Sequence, residues 1–291
     1  MIVNAEKQTI KALLTRFKLR DLLDRGSRLR FKVRADDRVI VAAINMASLN
    51  LDVVPVICEK EGDMPRVFTG FNILNLLYTH PGGAWNVFSK VECFEVAWPP
   101  ILSDIDNSLL HTLKMMYSRR RGFVIPIMYG KPLNVTISTL EVAQLLASLE
   151  GRYPIKGIAL SDVATKGVIT VSKESSVQEL IHTMVANKIR RVLVREENKI
   201  IRDNDIIRYL LARGAVKEFT KDSYKMLNEP VNSLSNFMKK PAITSPFSGY
   251  HEALNNMLKS EAKTVISHDG RYIATSWDLT VGLLSKLKID N

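Results

Sequence analysis

The sequence predicts an α/β protein of four repeated units, each a small sheet with packed helices, the four arranged as two paired modules. Three observations carry this expectation. One order of elements recurs four times along the chain, and such self-similarity precedes any single motif as evidence. Apolar residues make up 46% of the 291 residues, which supports a substantial core and more than one small domain. A polar side chain stands at the same place in every repeat, three residues into the switch from a strand to an apolar helix.

The third repeat shows the order most clearly, in "VITVSKESSVQELIHTMVANKIRRVLVREENKIIRDNDIIRYLL". A β-branched run at 168–172 gives a first strand. Ser175 and Ser176 suit a helix cap, with Glu179 three residues after Ser176. Val177, Leu180, Ile181 and Met184 then fall at helical spacing. "RVLV" and "KII" read as two further strands, and "DIIRYLL" opens a second helix. The fourth repeat begins "AITSPFSGYHEALNNMLKSEAKTVISHDGRYIATSWDLTVGLL", with Ala253, Leu254, Met257 and Leu258 as its helix face. The first runs through "KVRADDRVIVAAINMASLNLDVVPVICEKEGDMPRVFTGFNILNLL" and the second through "CFEVAWPPILSDIDNSLLHTLKMMYSRRRGFVIPIMYGKPLNVTISTLEVAQLL". The recurring pairs are Thr69 with Asn72, Ser138 with Glu141, Arg202 with Asp205 and Thr275 with Asp278, the third lacking the hydroxyl.

Each small sheet should be covered by the apolar stripes of its helices. A unit of roughly 60 residues is marginal alone, so units should pair. The expected modules are 1–150, with units at about 1–80 and 81–150, and 151–291, with units at about 151–218 and 230–291. "HPGGAWN" and "EGRYPIKG" read as joints, and 219–231 as a polar link.

These residues resemble the CBS domain, a nucleotide-sensing module found in tandem pairs. The resemblance rests on "VITVSKESSVQELIHTMVANKIRRVLV" with "RDNDIIRYL", and on "GRYIATSWDLTVGLL", and extends over most of the chain from about Phe31. Four such units in one chain are similar in layout to the regulatory gamma subunit of AMP-activated kinases. The resemblance implies adenosyl ligands held in clefts between units. It implies that Thr275 and Asp278 hold the ligand, the carboxylate on the two ribose hydroxyls. The adenine would lie against Gly167, Val168, Ile169 and Thr170, with Lys263 near phosphate. For a mirror site it implies Asp205, with Ile243 and Thr244 opposite and Arg190 and Arg191 near phosphate. There Arg202 replaces the usual hydroxyl, and Lys199 stands where the family has glycine. In the first module Asn72 and Glu141 replace the Asp, so ligand motifs are degenerate and packing or dimer formation is the implied role.

The chemistry stands without the family as well. A helix start exposes unpaired N–H groups and a partial positive charge, which favour a hydroxyl cap and a first-turn carboxylate. An ionised carboxylate offers only acceptors and can take both hydrogen bonds of a cis-diol. The same residues also serve as plain caps in any protein, and Arg119, Arg120 and Arg121 suit a helix C-terminus with no ligand. Trp277 could stack on a base, line an interface or pack locally.

The formal net charge of +11 favours anionic partners without naming one. Nineteen basic and 15 acidic residues precede position 151, against 22 and 15 after it, so neither half is a basic tail. Cys58 and Cys93 lie in apolar surroundings and read as core thiols. The five histidines are scattered, and no P-loop, dinucleotide fingerprint or nucleophile elbow occurs. The expectation is therefore a non-catalytic protein without cofactor or metal, cytoplasmic, with no membrane span. Its regulatory ligand would be AMP first, with ADP, ATP or S-adenosylmethionine behind it. A regulated protein partner is expected, and a monomer or homodimer. The rival readings are nucleic-acid binding through "RLRFKVR" and "SRRRG", and a scaffold with vestigial sites.

Overall fold

The computed structural model describes residues 2–28, 32–57, 65–212, 214–286 and 288. Cys58 and residues 29–31 of the "RLRFKVR" stretch lie outside them. Among the described residues four separate sheets are present, one per repeat. In each, a short strand runs parallel to a second, and the second runs antiparallel to a third. The parallel step demands a crossover, which the intervening helix supplies. In the third repeat Thr170–Val171 pairs with Arg191–Val194, which pairs with Lys199–Arg202, and helix Val177–Asn187 makes the crossover. The fourth repeat uses Ala242–Thr244, Thr264–Ser267 and Tyr272–Thr275, with helix Tyr250–Lys259 between the first two. A short strand from the preceding segment, Thr165–Lys166, adds to the outer edge of that sheet, Ile273 facing Thr165.

The chain packs as two compact units. One comprises Met1–Leu29, Ile101–Val168 and Lys240–Asn291, and so holds the second and fourth repeats. The other comprises Arg30–Pro100 and Ile169–Lys239, and holds the first and third. Neither coincides with 1–150 or 151–291. The physical reason lies in the helices. Apolar helix faces reach across repeats: Val39–Leu49 packs on Asp203–Leu210, and Gly70–Thr79 on Val177–Asn187. In the other unit Thr139–Ser148 packs on Tyr250–Lys259, and Leu109–Arg119 on the 278–282 turn. Each unit encloses its own core. One is built around Leu14, Leu113, Ile137, Leu254 and Leu284, the other around Met46, Leu74, Leu180, Ile206 and Phe219.

"HPGGAWN" forms a 3-10 turn, Pro81–Gly83, that runs into helix Ala84–Lys90. The expected polar link from 219 holds Phe219 and Leu227 wholly buried, and helices Ala215–Lys221 and Ser223–Leu227 carry them. Cys93 is buried, and burial pushes its thiol up to about 12, as suits a core thiol. Among the described residues no helix is long and apolar enough to cross a membrane.

Candidate ligand-binding site

The four polar side chains at the strand-to-helix switch share one local task. Asn72, Glu141, Asp205 and Asp278 each accept the backbone N–H three residues earlier, at 2.8, 2.7, 3.1 and 2.9 Å. That N–H belongs to the last strand residue, just before the chain turns into the helix, so the side chain closes the switch. What differs is the rest of each side chain.

Asn72 is consumed by structure. Its Oδ1 also accepts from the Thr69 hydroxyl at 2.7 Å, and its Nδ2 donates to the Val96 carbonyl at 2.7 Å. Glu141 is buried and accepts from the Ser138 hydroxyl at 2.5 Å.

Asp278 is half-buried and takes neutral partners. Its Oδ2 accepts from the Thr275 N–H and hydroxyl, both at 2.9 Å, and its Oδ1 accepts from the Thr165 hydroxyl at 2.6 Å. Thr275 Oγ1 in turn accepts from the Trp277 N–H at 3.2 Å. The helix that follows begins as a π-turn, Asp278–Gly282, with the Gly282 N–H reaching the Trp277 carbonyl at 2.8 Å, before it continues as Leu283–Lys286. Such wide turns recur at functional sites. Thr165 escapes sequence reasoning, because only the pairing of Thr165–Lys166 on the strand carrying Thr275 brings it to the carboxylate.

Asp205 has the opposite environment. It is wholly buried, and the Arg202 guanidinium grips both of its oxygens, Nε to Oδ2 at 3.0 Å and Nη2 to Oδ1 at 3.0 Å. Burial works against the Arg202 charge, but the hydrogen bonds and charge of Asp205 outweigh it, and the Arg202 pKa is raised. Arg190 donates to the buried Asp203 at 2.6 Å and lies 3.9 Å from Asp52. Arg191 differs from both: its Nε is buried without a partner, and burial followed by the Arg190 charge lowers its pKa. Asp203 is a second residue that sequence reasoning missed. Only its first-turn position next to Asp205 hinted at it.

Gly167 is exposed at φ +88, a backbone that favours glycine, and Val168, Ile169 and Thr170 are half-buried. Ile243 is 59% exposed, a large apolar side chain open to a partner, whereas Thr244 is buried on Ser248 at 2.8 Å. Lys263 sits at φ +49 with its Nζ on the Leu258 carbonyl, capping the helix that ends at Lys259. Gly167, Val168, Ile243, Thr244, Lys263, Thr275 and Asp278 belong to one compact unit, and Ile169, Thr170, Arg190, Arg191 and Asp205 to the other. Trp277 packs against the core of its own unit, the local option among the three open to it. His182 is exposed, its ring 5.4 Å from that of Tyr78. Among the described residues no cluster of His, Cys, Asp or Glu could hold a metal.

Comparison with known proteins places this geometry in context. Residues 160–212 match the CBS domain family model. Protein MJ1225 from Methanocaldococcus jannaschii, a candidate archaeal homologue of g-AMPK, superposes with a TM-score of 0.74 at 16% identity, covering 94% of this chain and 100% of that one. An uncharacterized conserved protein from Pyrococcus horikoshii superposes with a TM-score of 0.55 at 14% identity, covering 92% of this chain and 100% of that one. No curated protein matches. One repeat thus matches the CBS domain by sequence, and the four-sheet fold is shared with MJ1225 over almost the whole length of both chains.

Proposed function

We propose that the chain is a regulatory protein that binds an adenine nucleotide, AMP ahead of ADP or ATP, with Asp278 on the ribose. CBS-domain proteins bind adenine nucleotides as regulatory ligands, and the similarity to a candidate g-AMPK homologue favours AMP among them. The observation that carries the reading is the state of Asp278. Its Oδ1 is held by one neutral hydroxyl, that of Thr165, and the residue is not sealed from solvent. A cis-diol offers the same kind of donor twice over and can displace Thr165 without breaking the Thr275 cap. Thr275 keeps the carboxylate aimed, and Gly167 and Val168, in the same compact unit, are proposed for the base. Lys263 would leave the Leu258 carbonyl to meet phosphate, an exchange its flexible stem allows. Binding would be read by a partner protein, since the chain's own chemistry is recognition.

Thermal denaturation with AMP and 2′-deoxy-AMP tests the reading. A ligand at about 100 times its Kd stabilises the folded state by about 2.7 kcal/mol. AMP is expected to raise Tm more than its deoxy analogue does, because the latter lacks one of the two donors. Asp278→Ala is expected to weaken AMP about tenfold to a hundredfold, the worth of one or two charge-assisted hydrogen bonds, while the protein stays folded. Equal shifts from the two nucleotides would remove the ribose role from Asp278.

A further inference from the structure

We infer that a cleft at the far end of the fourth repeat's sheet is a binding site for a free α-amino acid with an aromatic side chain. The inference is independent of the nucleotide reading. The strand Tyr272–Thr275 ends at Thr275 and its Asp278 cap, whereas the cleft opens at the other end, around Tyr272. Its volume is about 300 Å³, enough for one small molecule. Three segments of one compact unit build it. The turn between the second and third strands supplies His268, Asp269 and Arg271. That turn is fixed by the Gly270 N–H on the Ser267 carbonyl at 2.8 Å, with Gly270 at φ +68 where glycine is favoured. The loop after the first strand supplies Phe247, and the His268 N–H on the Thr244 carbonyl at 2.8 Å ties the turn to that strand's end. The short helix Leu160–Val163 supplies Ser161, whose N–H donates to the Pro246 carbonyl of the same loop at 2.9 Å.

The charges in the cleft decide the ligand. Asp269 Oδ1 is spent, accepting from the Ser267 hydroxyl at 2.5 Å and from the Arg271 N–H at 3.1 Å. These bonds, the Ser267 one foremost, hold the carboxyl below the usual carboxylate range, so it is ionised at neutral pH. Its Oδ2 faces Arg271 Nε across 3.7 Å, close enough for attraction and too far for a hydrogen bond. Among the described residues neither that oxygen nor the guanidinium has a hydrogen-bond partner. A simple anion drawn to Arg271 would meet Asp269, and a simple cation drawn to Asp269 would meet Arg271. A zwitterion suits both at once, its carboxylate accepting from Arg271 and its ammonium donating to Asp269 Oδ2. An α-amino acid carries the two groups on one carbon, as closely spaced as the charges that face them, whereas a peptide terminus brings only one. Ser161 and His268 line the same cleft and offer donors to the second carboxylate oxygen. The side chain follows from the rings. Phe247 is 82% exposed and Tyr272 half-buried, so two aromatic surfaces on the cleft are left partly in water, and a third ring laid on them would cover both.

Titration of the full chain with L-phenylalanine, followed by calorimetry and ligand-observed NMR, tests this. A ligand of that size in a cleft with exposed charges is expected to bind with a Kd on the order of 1 mM. N-acetyl-L-phenylalanine, which lacks the ammonium, and phenethylamine, which lacks the carboxylate, are each expected to bind at least about tenfold more weakly, the worth of one charge-assisted hydrogen bond. Arg271→Gln and Phe247→Ser change exposed side chains and leave the core intact, and each is expected to weaken L-phenylalanine by about the same factor. Asp278→Ala is expected to leave its binding unchanged, whatever becomes of AMP. No saturable binding at about ten times the expected Kd would overturn the site. So would equal binding of N-acetyl-L-phenylalanine or phenethylamine, or binding unchanged by Arg271→Gln or by Phe247→Ser. Loss of L-phenylalanine binding in Asp278→Ala would move the ligand to the ribose carboxylate and overturn the cleft as its place. Failure of the nucleotide reading would appear separately, as equal responses to AMP and 2′-deoxy-AMP with L-phenylalanine binding preserved.

Discussion

At the scale of single residues, the polar side chain that opens each final helix is first a structural device and only then a candidate for recognition. Asn72 shows the device alone, with acceptor and donor both spent inside the protein. The sequence made these positions legible because a capping side chain has to stand at a fixed distance from the strand end. It did not reveal the partner of the second oxygen, since Thr165 lies 113 residues from Asp278. Nor did it show that Arg202 would turn inward. His251 is another residue whose role only the packing discloses. It is 7% exposed, and its Nε2 accepts the Ile155 N–H at 2.9 Å, so the neutral ring carries its proton on Nδ1. Burial lowers its pKa, and the nearby Glu150 charge only partly opposes this. The unfolded chain therefore takes up a proton near pH 6.5 that the folded one refuses. Stability contributed by the neutral ring is present above that pH and is lost as pH falls towards the lower folded pKa. The slope this one group can contribute below pH 6.5 is at most about 1.4 kcal/mol per pH unit. Urea denaturation at a series of pH values should show it, and His251→Gln should flatten it. An unchanged slope in the variant would assign the acid sensitivity elsewhere.

At the scale of elements, the crossover helices of the first three repeats end alike. Asn50, Arg120 and Lys188 each follow the last helical residue in the left-handed conformation, at φ 50, 51 and 55. The next N–H returns to the carbonyl five residues back: Leu51 to Met46, Arg121 to Met116 and Ile189 to Met184, at 3.1, 3.0 and 3.0 Å. This closure normally favours glycine, yet none of the three positions has one. The helix bodies were legible from apolar spacing, and the Ser176 cap with Glu179 forms as the sequence implied. The ends were not, because a lysine or arginine carries no stop signal of its own and the closure depends on φ. The missing glycine is a reserve of stability. Lys188→Gly should stabilise by about 1 kcal/mol, because it removes left-handed strain and gives part of that back to the looser unfolded chain. The corresponding rise in Tm is about 2 °C for a protein of this size. Lys188→Val should move Tm the other way, and a fall in Tm for the glycine variant would show that the Lys188 side chain itself holds the turn.

At the scale of the whole molecule, the repeat was visible from strand and helix order, but its pairing was not. The sequence lists units in chain order, whereas packing follows which apolar helix faces fit together. Val39–Leu49 carries more apolar surface than one small sheet needs, and it places Val39, Ala42, Ala43 and Met46 in the core shared with the third repeat. Likewise Leu109–Arg119 packs on the 278–282 turn of the fourth repeat. Both cores thus draw side chains from each side of residue 150: Leu146 with Leu254 in one, Leu74 with Ile206 in the other. Cutting the chain there would leave every one of these faces in water, and burial of apolar surface is the main stabilising term in any domain. The fragment 151–291 is therefore expected to be aggregated or molten by itself, although it holds Thr275, Asp278 and the arginine cluster. Mixed with 1–150 during refolding, it should recover a heterodimer, because each half supplies the surfaces the other lacks. Circular dichroism in the near ultraviolet and size-exclusion chromatography with light scattering would follow both states. A folded, monomeric 151–291 with sharp cooperative melting would show that the third and fourth repeats suffice as a domain. Association of the two halves into a species near the 32.8 kDa of the intact chain would show that the cores are built across residue 150.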